Sequence, residues 1–148
     1  MGRIKNLTTT LTGEMIAAIS QGTILKDAVD LEDSEIDEEY LFLGYDYCVQ
    51  NGFNKSVFKT RVLKNMFSKT KSQVYSFFMG VLLCNELKEI VKLNPEKIII
   101  AGRKQIKEAT YMILQKKNTS PVYKIPDEMV DVANSIGMIR IYEYVASK

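Results

Sequence analysis

Histidine is absent from the 148 residues of this chain, and so is tryptophan. Without histidine the chain has no Ser-His-Asp or Cys-His nucleophile pair, no imidazole acid or base and no His-ligated zinc. Cysteine occurs only twice, as Cys48 and Cys84, with no CxxC spacing. This pattern predicts two small buried side chains and argues against a zinc site or a disulfide framework. Chemistry in this chain must therefore use carboxylates, lysines, arginines, hydroxyls or backbone groups.

Long apolar runs and a strong excess of one charge are also missing. The longest apolar run, residues 74–84, contains Ser76 and Gly80 and falls short of the roughly 20 residues that a membrane helix needs. With no signal peptide evident, we expect a soluble cytoplasmic protein with no membrane partner. The 20 Lys+Arg and 18 Asp+Glu give a net charge of +2, far below the basic footprint of nucleic-acid-binding proteins. We therefore expect no nucleic-acid partner.

What the chain does contain is typical of a globular protein. Hydrophobic residues make up 46% and charged residues 26%, which rules out an intrinsically disordered chain. The length suits one domain. We expect a single α/β domain over residues 1–148, rich in helices, with a helical region at about 12–93. A strand–helix–strand–helix region follows at about 96–148.

Capping residues predict the first elements of the helical region. A weakly alternating, Thr-rich stretch at residues 1–11 favours a short strand. Thr12 is the predicted N-cap of the first helix. Ser34 is the predicted N-cap of a second helix over about 35–50, which Asn51-Gly52 ends.

The sign of the charge reverses between the next two segments. Acidic residues concentrate at 26–46 and basic residues at 54–71. We interpret them as two solvated faces that pair loosely with each other. Nucleic-acid binding by the basic helix is the alternative. It is disfavoured because aromatic residues do not interleave with the basic ones and because the adjacent acids would repel a phosphate backbone. The predicted apolar face of that helix consists of Val57, Phe58, Val62, Met66 and Phe67.

The next helix, predicted over residues 71–93, is the most apolar in the chain. Its apolar residues cover too wide an arc for a surface helix, so we expect it to be central. Gly80 within it costs about 1 kcal/mol relative to alanine. A close crossing with another helix would explain this glycine.

A βαβ unit follows. Residues 97–101 contain three consecutive isoleucines and are predicted to form a buried strand of parallel type. A helix at about 104–115 leads to a second strand at 121–125. Pro126 then opens the last helix.

Ala101-Gly102-Arg103 follows the first strand of this unit. In open α/β sheets, ligands bind beyond the carboxyl ends of the strands, often at the N-terminus of the next helix. The signal is a single glycine, since neither GxGxxG nor GxxxxGK[ST] occurs in the chain. A plain turn glycine is the alternative at Gly102.

Four stretches resemble, in order, segments of the 2-dehydro-3-deoxygalactonokinase family. Residues 9–15, TTLTGEM, are similar to that family's threonine–x–Met–threonine–Gly–Glu segment. In the third stretch, residues 75–87, Ser76 and Phe78 stand where the family has Leu and Gly. The resemblance covers essentially this whole chain but only the C-terminal half of the family's protein. The other three stretches are VFKTR at 57–61 (Leu-Phe-Ser-x-Arg in the family), YSFFMGVLLCNEL at 75–87 (Tyr-Leu-Ser-Gly-Leu-Leu-Ile-Gly-x-Glu-Leu), and the strand and glycine at 98–102 with Tyr111 downstream.

This resemblance implies an enzyme that uses ATP and magnesium to phosphorylate the sugar acid 2-dehydro-3-deoxy-D-galactonate. It also implies a ribonuclease-H-like fold of the actin/hexokinase/Hsp70 superfamily. By the same resemblance, Ala101, Gly102 and Arg103 border the nucleotide. The candidates for the cleft between the two halves of the kinase are Thr12, Gly13, Glu14 and Arg61.

Two phosphate-binding segments of the family do not occur in these 148 residues. They are Asp-Trp-Gly-Thr-Thr-Asn and Pro-Gly-Thr-His-Ser-Lys-Trp, and the second needs the histidine that this chain lacks. The resemblance therefore implies that the catalytic base and the magnesium ligands lie in an N-terminal kinase half outside this chain. We expect this part alone to be nearly inactive.

Other interpretations of the same residues stay open. Glu14 can simply be a carboxylate that favours a helix N-terminus, and Arg61 can belong to a solvated basic face. The alternative function is a non-enzymatic helical module that binds a protein partner. Because a domain separated from its partner exposes an apolar face, we also expect homo-oligomers.

Overall fold

The computed structural model describes residues 11–31 and 35–147. These residues form a helix-rich α/β structure, as predicted. The predicted strand at 1–11, apart from Leu11, and the predicted cap Ser34 lie outside the described residues. The elements are α1 (Thr12–Gly22), α2 (Glu38–Asn51), α3 (Phe53–Phe67), α4 (Lys71–Leu93), β1 (Ile98–Ile100), α5 (Lys104–Lys117), β2 (Val122–Lys124) and α6 (Asp127–Ala146).

The chain divides into two compact units, one up to Ile90 and one from Val91. The ribonuclease-H-like superfamily and the single domain over residues 1–148 stay predictions. Within the described part of the chain, no helix is both long and apolar enough to cross a membrane.

Helix α4 forms the core of the first unit, as its apolar sequence predicts. Twelve of its residues are buried, among them Val74, Phe77 and Phe78, each of which is at most 1% exposed. A helix whose apolar residues cover the whole circumference is usually buried in the core.

Helices α2 and α4 approach closely at two glycines, which confirms the crossing predicted from Gly80. A Cβ atom on Gly80 would clash with the carbonyl oxygen of Leu41 and lie 2.7 Å from the backbone nitrogen of Tyr45. A Cβ on Gly44 would lie 2.8 Å from the carbonyl carbon of Phe77. Since real Cβ atoms do not approach backbone this closely, the contact requires glycine on both helices.

The predicted starts of α1 and α2 are wrong in detail. Leu11, and not Thr12, occupies the N-cap position of α1, with no side-chain cap hydrogen bond. Helix α2 begins at Glu38 because Asp37 caps it, and the Asp37 carboxylate accepts a hydrogen bond of 3.1 Å from the backbone N–H of Tyr40. Its predicted end is confirmed, since Gly52 follows with a φ of +80°.

The predicted apolar face of α3 is also wrong. Phe58, Met66 and Phe67 are exposed, whereas the buried residues are Ser56, Thr60 and Leu63. The Ser56 hydroxyl donates to the carbonyl of Gly52 at 2.7 Å, so its burial leaves no unsatisfied donor. The packed face of α3 therefore combines two small hydroxyl side chains, Ser56 and Thr60, with Leu63.

The second unit is built on a parallel strand pair, as the βαβ pattern predicts. Ile98 pairs with Val122 and Ile100 with Lys124. Ile98 and Ile100 are buried, but Ile99 is 58% exposed, so the expectation of a strand buried on both faces is wrong. Helix α5 packs on the strands and buries Ala109, Ile113 and Leu114.

Helix α6 is apolar on several sides and yet exposed. Its buried-residue set is empty among the described side chains. The exposed large apolar residues of α6 are Met129, Val132, Ile136, Met138, Ile139, Ile141, Tyr142, Tyr144 and Val145.

Candidate functional site

Ala101-Gly102-Arg103 connects the carboxyl end of β1 to α5. Gly102 has a φ of +136°, a conformation that side-chain-bearing residues rarely adopt. A Cβ atom placed on it would meet no other atom within 4 Å. The backbone therefore requires glycine for its conformation and leaves open space beside the turn.

The N-terminus of α5 opens directly after this turn. Arg103 occupies the N-cap position, and no side chain caps the helix there. The first N–H groups of a helix have no partner within the helix and carry partial positive charge. With Arg103 and Lys104 both exposed, this end of the helix suits a phosphate or another polar anion.

Lys107 binds the segment that follows β2 at the same edge of the sheet. Its side chain is 3% exposed, and its ammonium group donates to the carbonyl of Ile125 at 2.7 Å and to the carboxylate of Asp127. The hydrogen bond that Lys107 donates to Asp127 lowers the pKa of this carboxyl group below its usual 3.8. Lys107 therefore fixes the connection from β2 to α6 against α5.

A second lysine ties β2 to the outer side of α5. Lys124 forms a 2.6 Å ion pair with Glu108, and its ammonium group lies 4.4 Å from the ring centre of Tyr111. Tyr111 is the downstream tyrosine of the family resemblance. Its ring thus packs against the Lys124 side chain of β2.

The cleft candidates Thr12, Gly13 and Glu14 form the first turn of α1. The Thr12 hydroxyl donates to the carboxylate of Glu86 on α4. Gly13 and Glu14 are exposed. The first turn of α1 is thereby anchored to α4, and its exposed side carries a carboxylate.

Arg61 lies in the middle of α3 and is partly exposed. Among the described residues it forms no hydrogen bond or ion pair with Thr12 or Glu14. Thr12 is therefore hydrogen-bonded to Glu86, whereas no bond among the described residues joins Arg61 to Thr12 or Glu14.

Two residues with clear structural roles, Lys107 and Glu86, do not stand out in the sequence. Lys107 precedes the buried Leu114 by seven residues, two helical turns, so helical spacing places both on one face of α5. Glu86 lies within the stretch at 75–87 that resembles the family. These are the signals that would have found them.

The residues at the Gly102 edge fit the phosphate-bearing cofactor that the resemblance implies. An uncapped helix N-terminus, two exposed cations and a glycine turn together match the donors that nucleotides require. Magnesium is different. The described residues contain no group of three His, Cys, Asp or Glu side chains able to hold a metal ion.

These features define an α/β protein whose candidate ligand edge lies beyond the carboxyl ends of parallel strands. A sequence model described as 2-keto-3-deoxy-galactonokinase matches residues 1–133. The chain belongs to the 2-keto-3-deoxygalactonokinase family, which confirms the resemblance found in the four stretches. Searches of the curated proteins and of the solved structures returned no match.

Proposed function

We propose that this chain forms the nucleotide side of a kinase that transfers the γ-phosphoryl group of ATP to a hydroxyl of 2-dehydro-3-deoxy-D-galactonate. Family membership over residues 1–133 supports the reaction class and the sugar acid. The observation that carries the nucleotide assignment is Gly102, which combines a positive φ with open space at the end of β1.

Each part of this edge has a distinct role in the proposal. Ala101 and Gly102 let the backbone approach the adenosine moiety without a side chain between them. Arg103 and the N-terminus of α5 offset negative charge on the phosphates. Lys107 is a positioning residue, because it holds the β2–α6 connection beside the turn.

The proposal divides the work of catalysis between two halves. Phosphoryl transfer depends mainly on positioning and on electrostatic stabilisation of the transferred group. The catalytic base, the magnesium ligands and most phosphate contacts are assigned to an N-terminal kinase half. Thr12, Gly13, Glu14 and Arg61 face that half across the cleft, and this chain alone has almost no activity.

An NMR titration with ATP tests the nucleotide assignment. ATP is expected to shift the amide signals of Gly102 and Arg103 in the full chain, and Arg103→Met is expected to weaken the response. Lys97→Met is the matched control, because Lys97 is an exposed cation just before the opposite end of β1. Shifts confined to other residues, or equal effects of the two variants, would contradict the assignment.

Complementation tests the division into halves. An N-terminal half of this family, carrying the Gly-Thr-His-Ser segment, is mixed with this chain, and ADP release is followed with the sugar acid present. Activity is expected only in the mixture. If both parts are folded by circular dichroism and the mixture stays inactive, the proposed division is wrong.

A protein-interaction module is the second candidate function, and the exposed apolar residues of α6 favour it. Under that function a protein partner covers α6, and ATP leaves the amides around Gly102 unchanged. The ATP titration therefore separates the two candidates.

A further inference from the structure

A cavity of about 350 Å³ lies in the first unit, and the described residues that line it fall between positions 20 and 71. It lies where the end of α1 and the segment after it meet Lys64, in the last turn of α3, and Lys71, the first residue of α4. None of the candidate nucleotide or cleft residues lines it. The cavity is thus a separate feature of the chain.

The segment that forms one wall of this cavity is held by its own hydrogen bonds. The Thr23 hydroxyl donates to the carbonyl of Ile19 at 2.6 Å and accepts from the backbone N–H of Leu25 at 3.1 Å. The N–H of Ala28 donates to the carbonyl of Leu25 at 2.8 Å, and Leu25 is 2% exposed. Because buried Leu25 anchors this turn, the wall is preorganised and a ligand need not order it.

Some of the charged side chains around the cavity are paired with each other and others are not. Lys71 pairs with Asp30 at 2.8 Å. Lys26 and Lys64 also line the cavity, and neither has an ion-pair or side-chain hydrogen-bond partner among the described residues. Two cations are therefore available to an anion within one concave surface.

The rest of the lining offers a different chemistry. Asp27 and Gln21 provide acceptors and donors for hydroxyl groups. Ala28 and Val29 are buried and provide apolar surface for carbon atoms. A ligand that matches the two cations, the polar side chains and the apolar surface carries an anionic end, several hydroxyls and a short carbon chain.

We propose that this cavity binds a small polyhydroxylated carboxylate of the sugar-acid class. Lys26 and Lys64 pair with the carboxylate, and Asp27 and Gln21 bond the hydroxyls. The volume lies near the lower end of the range of about 300–1,000 Å³ for small-molecule sites, which suits a six-carbon acid. The choice of a sugar acid among carboxylates rests on the proposed kinase function, whereas the anion site does not.

The test is a titration of the full chain with D-galactonate, followed by NMR and calorimetry. Saturable binding is expected, with shifts of the amides at 26–30. D-Galactose, which lacks the carboxylate, and inorganic phosphate, which lacks the carbon chain, are expected to bind at least about tenfold more weakly. Equal binding of either one would overturn the assignment to sugar acids.

Variants on α3 test the role of the cations. Lys64→Met is expected to weaken galactonate binding about tenfold or more, as the loss of one charge-assisted hydrogen bond does, and Lys64→Arg is expected to retain it. Lys55→Met is the control, because Lys55 is exposed on the same helix and lines a different groove. Folded Lys64→Met that binds as tightly as the control would overturn the proposal, as would an absence of galactonate binding.

These outcomes separate the cavity from the kinase function. Galactonate binding that depends on Lys64, without any ATP response or complementation, supports the cavity and contradicts the kinase assignment. ATP response and complementation without galactonate binding at this cavity support the kinase assignment and contradict the cavity proposal.

Discussion

At the scale of single residues, Gly80 shows what a sequence can predict. A glycine in the most apolar helix carries a cost in helix propensity, so its presence implied a close crossing, and the structure has one. Its counterpart Gly44 was not predicted, because the pairing of two helices depends on how the chain folds and not on local spacing. The same limit applies to Lys107, whose burial depends on Asp127, 20 residues further along the chain.

Gly80→Ala is expected to lower the free energy of unfolding by about 1–3 kcal/mol, the usual cost of overpacking. The added methyl group would collide with the backbone of α2 at Leu41 and Tyr45. Gly137→Ala in α6 is the matched control: nothing lies within 4 Å of its added Cβ, so it should stabilise by up to about 1 kcal/mol through helix propensity. Urea denaturation of both variants measures the difference, and equal stabilities would contradict the close crossing.

The two cysteines behave as the small buried side chains predicted from their spacing, since Cys48 is 3% and Cys84 1% exposed. Burial, together with the hydrogen bond that the Cys84 thiol makes to Cys48, raises the pKa of Cys84 from 9.0 to about 12. Because the thiolate is the reactive form, Cys84 is expected to resist a thiol reagent such as Ellman's reagent at pH 8 until the protein unfolds.

The raised pKa of Cys84 also predicts how stability depends on pH. The folded state keeps its thiol proton above pH 9.0, where the unfolded chain begins to lose it. The stabilisation is therefore complete below pH 9.0 and is lost as the pH rises toward 12. Cys84→Ala should flatten this part of the pH profile in thermal melts, and an unchanged profile would contradict the prediction.

At the scale of elements, the start of α2 shows why boundaries are harder to predict than helices. The acidic segment before α2 offers several side chains able to cap, and the local pattern favours Ser34. Asp37 caps the helix, and its backbone N–H also donates to the Ser76 hydroxyl of α4 at 2.8 Å. Local spacing carries no information on this contact, which joins residues 39 positions apart.

Asp37→Ala is expected to lower the free energy of unfolding by about 0.5–2 kcal/mol, the usual value for loss of an N-cap side chain. The variant loses the hydrogen bond that the backbone N–H of Tyr40 donates to the Asp37 carboxylate. Asp37→Asn is the matched control, since asparagine caps as well as aspartate, and it should keep most of the stability. If both variants lose equally in urea denaturation, the charge and not the cap is responsible.

The face of α3 could not be predicted from apolar spacing for a related reason. Ser56 and Thr60 are small, and each hydroxyl bonds a carbonyl four residues earlier, at 2.7 Å and 3.4 Å. They can therefore occupy the packed side of the helix without an unsatisfied polar group. Phe58 and Met66, the larger residues, lie on the exposed side.

At the scale of the whole molecule, the second unit exposes surface that proteins usually cover. Parallel sheets are normally covered on both faces, yet Ile99 and Tyr123 are 58% and 56% exposed on their strands. Helix α6 adds apolar residues on several sides, and a helix of this kind is usually buried. The resemblance predicts that such a face exists, and the structure shows it on α6.

Ile139→Glu is expected to reduce self-association of the full chain, because Ile139 is one of the exposed apolar residues of α6 and a buried carboxylate without a partner is costly in an interface. Sedimentation velocity should show a concentration-dependent increase in mass for the parent chain and a smaller one for the variant. Ser135→Glu is the control, because it places the same charge at an exposed, non-apolar position of the same helix. A parent chain that stays monomeric, or equal effects of the two substitutions, would show that α6 does not mediate association between copies, and would leave the N-terminal kinase half as the partner expected to cover it.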